Sequence, residues 1–187
     1  IGGNVIANLK TPLPVAAGQR GLRQSDAVFS HIKNLPELCD RLGEALAEYT
    51  VLGVGVSSRP RSVEGSYMPC FLSGVAAAHS FAAALGVSVE EISHQDGHVM
   101  AALYSSGCAE KLMKQRFLAF HVSGGTTETL LVTPNEKGTD FDIELVGETM
   151  DINAGQAIDR VGVMMGLSFP CGRELEALAR EYEGKPY

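Results

Sequence analysis

FLAFHVSGGTTETLLV, residues 117–132, is the stretch that decides the fold. Phe117–Val122 has strand character, Ser123-Gly124-Gly125-Thr126-Thr127 turns the chain, and a second strand, Glu128–Thr133, leaves the turn. A third strand, Phe141–Glu148, follows a turn containing Asn135-Glu136-Lys137-Gly138. Strands joined directly by tight turns predict an antiparallel meander, whereas βαβ units would need helices between them. Upstream the pattern alternates instead. Val51–Val56 reads as a buried strand, apolar on both faces as parallel strands tend to be. Phe71–Leu85 reads as a small-residue helix capped by Gly86, and Val89–Ile92 as a short strand running into a helix that ends near Gly107. The chain is therefore α/β and changes character near Gly107–Arg116. We expect a first domain over 1–110 and a second over 111–187.

Elsewhere the signals are local. Val5–Leu9 has the composition of a strand, ended by Pro12 and Pro14, and Ser25–Lys33 that of a helix. Leu35–Tyr49 is amphipathic, with Leu35, Leu38, Leu42, Ala45, Leu46 and Tyr49 near one stripe. Arg59–Met68 reads as a loop. Two helices close the chain, Ala154–Met165 with Gly166 as cap, and Arg173–Tyr182. His31, His79 and His121 show no partner pattern and read as structural.

Composition narrows the function classes. A length of 187 residues suits one domain with a real core, or two small lobes. A net charge of −7 argues against a self-sufficient nucleic-acid binder, so an RNA substrate would need positive surface from another subunit. Cys39, Cys70, Cys108 and Cys171 lie far apart without a CxxC, which disfavours a disulfide framework or a zinc knuckle and points to a reducing cytosol. No run approaches the ~18 apolar residues of a membrane span. Neither a signal peptide nor an initiator methionine opens the chain, and the expectation is a piece of a longer protein, or a trimmed one.

Chemistry concentrates in His94-Gln95-Asp96-Gly97-His98. Imidazoles four residues apart share one helical face and can share one metal ion. Ser93 with Asp96 three residues on reads as a capping box that starts this helix. The alternative is two ordinary polar side chains on an exposed face, since two ligands fall short of the usual three protein contacts. A zinc-peptidase helix has the same histidine spacing but needs Glu directly after the first one as general base. Gln95 stands there and takes no proton at neutral pH, which argues against proteolysis. The Ser123–Thr127 turn admits two readings: a simple hairpin turn, or a phosphate cradle with glycines for close approach and amides as donors.

Three stretches in this order resemble one family. HQDGHVMAAL (94–103) is similar to its H-x-E-G-H-L-like motif, FLAFHVSGGTTETLLV to its strand plus S-G-G-H-T, and GETMDINAGQAIDRVGVMMGLSFPCG (147–172) to its G-E-T/S-x-D-D-A-x-G-E-A-x-D-K and P-G-G. The family is TsaD/Gcp, of the actin–hexokinase–Hsp70 (ASKHA) superfamily, formerly described as O-sialoglycoprotein endopeptidases. The resemblance implies an actin-like, ribonuclease H-like mixed sheet with flanking helices, as a first lobe plus part of a second. It also implies transfer of a threonylcarbamoyl group from its adenylate to a tRNA adenosine in the cytoplasm. His94 and His98 would hold a divalent metal, iron or zinc. Ser123, Gly124, Gly125, Thr126 and Thr127 would contact the phosphates of an adenine nucleotide or acyl-adenylate. Asp159 would meet the nucleotide ribose, and Gly172 would lie against the same nucleotide. Implied partners are a smaller homologous subunit and an ATPase.

The chain departs from that pattern in places. Thr126 replaces the loop histidine, Cys171 the first glycine of P-G-G, and Ser62–Pro69 the A-G-P-G-L turn. The first nucleotide-binding strand and the late part of lobe two, with its aspartate ligand, are expected to be missing. Those departures keep a second reading open, a non-catalytic paralogue serving as a dimerisation or assembly platform; unpacked apolar surface would let it self-associate. A sugar or acetate kinase of the superfamily would need the absent first-strand phosphate loop.

Overall fold

The structure, a computed structural model, describes residues 3–14, 22–135 and 141–185. It divides into two compact units, Ile1–Ala109 and Glu110–Tyr187.

In the first unit, α1 (Gln24–Leu46) is one helix where two were expected, with Pro36 inside it. The proline ring fixes φ near the helical value, while it removes the bond to the Ile32 carbonyl and crowds that oxygen. The flanking Leu35, Glu37 and Leu38 are good helix formers and carry the helix past it. The expected strand at Val5–Leu9 does not form, and Val5 and Ile6 are exposed. A strand needs a neighbour for its amides and carbonyls, and no described strand adjoins this segment. β1 (Gly53–Arg59) begins two residues later than Val51 and takes Arg59 from the expected loop. Its limits are set by pairing, because the parallel register with β2 runs from Gly53↔Ser88 to Arg59↔Ser93. Gly53 and Gly55 are exposed, so β1 is covered less completely than its apolar composition implied.

α2 (Phe71–Leu85) joins the two strands and packs on β1, where a Cβ added at Gly74 would stand 3.6 Å from Val56 Cγ2, an ordinary contact. Gly86 ends it at φ 68°, and the Val87 N–H donates back to the Ala82 carbonyl at 3.0 Å. β2 (Ser88–Ser93) then runs straight into α3 (His94–Ser106), which Gly107 ends at φ 69°. The core here is made largely of small residues, Ala27, Ala78 and Ala82, with Val99 and Leu103 from α3. His79 has a partner after all: its Nε2 lies 3.0 Å from Glu91 Oε1. That bond, and a second with Ser58, hold the Glu91 carboxyl below the usual range.

A short helical turn, α4 (Ala109–Leu112), begins on the last residue of the first unit and runs into the second. β3 (Phe117–Val122), β4 (Thr127–Pro134) and β5 (Phe141–Glu148) form the expected meander, antiparallel in the order β3-β4-β5. Residues 136–138 of the expected β4–β5 turn lie outside the described residues. β4 alternates strictly, burying Glu128, Leu130 and Val132. His121 faces the same side, its Nδ1 3.6 Å from Glu128 Oε2. The opposite side of β3 leaves Leu118, Phe120 and Val122 exposed. α5 (Ala154–Met164) ends in the expected Gly166 turn at φ 84°, with the Leu167 N–H donating to the Gly162 carbonyl at 3.0 Å. α6 (Gly172–Arg180) stops short of Tyr182. The whole is a mixed α/β architecture with a parallel pair, an antiparallel meander and flanking helices, consistent with a partial actin-like fold.

Candidate functional site

Local chemistry at the start of α3 explains how its histidines are presented. Ser93 is extended, at φ −77° and ψ 158°, and its hydroxyl accepts the Asp96 N–H at 3.1 Å. Asp96 Oδ2 accepts the Ser93 N–H at 3.1 Å in return, completing the predicted capping box. The preceding loop adds two bonds. Ser62 Oγ donates to Asp96 Oδ2 at 2.8 Å, and the Gln95 N–H donates to the Pro60 carbonyl at 3.1 Å. With Gln95 and Asp96 buried, the 100° helical step turns positions 94 and 98 outward.

His94 and His98 are exposed, and their Nε2 atoms are 3.0 Å apart. The ring centroids are 4.3 Å apart at 71°, and Phe71 packs edge-on against His94 at 5.7 Å. At 3.0 Å the two Nε2 atoms share one hydrogen-bonded proton; an ion ~2.0–2.1 Å from each nitrogen would take that proton's place and bind both as adjacent ligands. Among the described residues no group of three or more His, Cys, Asp or Glu converges on this pair. Gln95 is turned inward, away from the position a peptidase base would need. Ser62 and Phe71 were not legible as supports, because both reach α3 from distant sequence.

The Ser123–Thr127 loop is tied to itself and to α5. The Ser123 N–H donates to the Thr126 carbonyl at 2.7 Å, and the Gly125 N–H to Ser123 Oγ at 3.2 Å. From α5, the Ala154 N–H donates to Thr127 Oγ1 at 2.8 Å and the Gly155 N–H to the Ser123 carbonyl at 3.1 Å. Thr126, at the position of the loop histidine, is half-buried.

Asp159 lies at the corner between α5 and α6. Its Oδ1 accepts the Cys171 N–H at 2.9 Å, directly before Gly172, the first residue of α6. A Cβ at Gly172 would meet nothing within 4 Å, so packing alone does not demand a glycine there. Cys171 is fully buried, and burial first, then the Asp159 and Glu174 charges, push its thiol above the usual range. The second unit thus brings Asp159 and Gly172 together at one corner. It places Ser123–Thr127 against the first turn of α5, with Asp159 farther along the same helix.

Residues 13–187 match the family described as TsaD: tRNA N6-adenosine threonylcarbamoyltransferase. The tRNA N6-adenosine threonylcarbamoyltransferases of Streptococcus pneumoniae strains Spain 23F-1 and Hungary19A-6 are each 38% identical to this chain over 138 residues. That stretch is 74% of this chain but 38% of each relative, so the chain spans about two fifths of the length of the relatives it matches. With three motifs in order and a match over nearly the whole sequence, the chain belongs to the TsaD family.

Proposed function

We propose that the full-length protein transfers a threonylcarbamoyl group from its adenylate to a tRNA adenosine, using one divalent metal, iron or zinc. The observation that carries this reading is the pair of exposed Nε2 atoms 3.0 Å apart, on a helical turn fixed by a capping box and two loop contacts. His94 and His98 would hold the ion through those nitrogens. The ion, when bound, supplies Lewis-acid polarisation of the carbonyl under attack. Within the Ser123–Thr127 loop the backbone amides of Gly124 and Thr126 would receive the phosphate of the adenylate, since those of Ser123 and Gly125 already donate inside the loop. Asp159 would hold the ribose through Oδ2, since Oδ1 already accepts from Cys171. The leaving group is the adenylate phosphate, and the nucleophile is the exocyclic amine of the tRNA base.

A net charge of −7 leaves this chain poorly suited to hold tRNA alone. Partner subunits, a smaller homologue and an ATPase, would supply the basic surface and the energy coupling, in the cytoplasm where tRNA is modified. No described helix is long and apolar enough to cross a membrane. Exposed Leu118, Phe120 and Val122 on β3 favour self-association as well.

The second reading is a non-catalytic platform, favoured by Thr126 in place of the loop histidine and by the exposed β3 face. Elemental analysis separates the two. Full-length protein purified without chelator or histidine tag is expected to carry near-stoichiometric iron or zinc, and His94→Ala/His98→Ala to carry none. Equal metal content in both proteins overturns the site; an empty wild type favours the platform.

A further inference from the structure

Gly155 has no room for a side chain. A Cβ there would stand 2.6 Å from the Gly124 nitrogen and 2.7 Å from the carbonyl carbon and oxygen of Ser123, all of them backbone atoms that cannot swing aside. The first turn of α5 therefore rests directly on the Ser123-Gly124 peptide. Hydrogen bonds fasten the same contact at both ends of the loop. The Gly155 N–H reaches the Ser123 carbonyl at 3.1 Å, where the loop begins. The Ala154 N–H reaches Thr127 Oγ1 at 2.8 Å, where the loop ends. That hydroxyl gives its own proton to the Thr126 carbonyl at 2.9 Å, and the Thr149 N–H donates to the Thr127 carbonyl at 3.0 Å.

From this geometry we infer that Thr127 and Gly155 are positioning residues, a clamp that holds the Ser123–Thr127 loop in one shape, and that Thr127 is not itself a ligand contact. Its hydroxyl has one proton and two acceptor sites. The proton goes to Thr126, and one acceptor site takes Ala154. The two leading amides of α5 are likewise spent on the loop, not offered to an anion. Anion binding by a backbone loop depends on amides fixed in advance, because ordering them at the moment of binding costs affinity. What α5 contributes is that fixing. No local sequence signal marks Gly155 for this task, since the contact joins residues about thirty apart.

This inference rests on the reading of the loop as a phosphate cradle, and its test separates the two. In the full-length protein, AMP binding is measured by calorimetry and amide exchange of residues 123–126 by NMR or mass spectrometry. The variants are Thr127→Val, Thr127→Ser and Gly155→Ala. Thr127→Val keeps the shape and loses the hydroxyl, and is expected to weaken AMP binding about tenfold, the change that ~1.4 kcal/mol produces, while the loop amides exchange faster. Thr127→Ser restores both properties, which a purely steric role for Thr127 would not allow. Gly155→Ala, checked for folding by circular dichroism, is expected to behave like Thr127→Val. Unchanged loop exchange in Thr127→Val and Gly155→Ala overturns the clamp. Faster exchange with unchanged AMP affinity keeps the clamp and overturns the phosphate reading of the loop.

Discussion

Cys171 and Gly162 share one space. A Cβ at position 162 would collide with the Cys171 Cβ and stand 2.7 Å from its Sγ, while Cys171 is itself fully buried. Gly162→Ala should therefore destabilise the second unit by about 1–3 kcal/mol, the usual cost of overpacking. Cys171→Gly removes the obstruction, so the double variant should be more stable than the two single effects predict, by about 0.5–3 kcal/mol of coupling. Urea denaturation of all four proteins measures this, and simple additivity would refute the shared-space account. Such pairs explain which parts of the site stayed invisible in the sequence. A glycine inside an amphipathic helix carries no mark of the atoms lying over it, backbone of the loop for Gly155 and the Cys171 side chain for Gly162. The placement of His94 and His98 on one exposed helical face was legible because spacing and cap lie within a few consecutive residues. Asp159 was legible as a motif residue, but its bond to the Cys171 N–H spans twelve positions and could not be foreseen.

Among the elements, the ones specified by neighbours in sequence came through. The α3 capping box and the left-handed glycines at 86, 107 and 166 stand where the residues put them. The meander did too, since each strand pairs with the next. Elements that depend on a remote partner were misjudged: Val5–Leu9 found no neighbour, and the ends of β1 were moved by its register with β2. The break expected between Lys33 and Leu35 is absent too, because α1 runs through both segments and through Pro36. Replacing it should restore a bond to the Ile32 carbonyl. Pro36→Ala is expected to stabilise the first unit by about 1–3 kcal/mol and to raise its helical circular dichroism signal. A less stable variant would mean that the proline ring is a packing contact whose loss outweighs the recovered bond.

At the level of the whole chain, the two units differ in how far apart their paired strands lie in sequence. In the second, β3 meets β4 across Ser123–Thr126 alone, and β4 meets β5 next in line. In the first, β1 cannot pair with β2 until the chain between Pro60 and Val87 has been drawn in, α2 included. Hairpins form in roughly 1–10 μs, whereas parallel pairing must meet the loop-closure cost before any ladder bond is gained. Pulse-labelled hydrogen exchange during refolding should accordingly find the amides of 117–148 protected before those of 53–59 and 88–93; simultaneous protection would contradict it. The ribosome delivers the segments in the opposite order. The half that emerges first is the slower to close its sheet, but at ~5–20 residues per second synthesis of the later half takes seconds, so the order of emergence gives the slower sheet its head start.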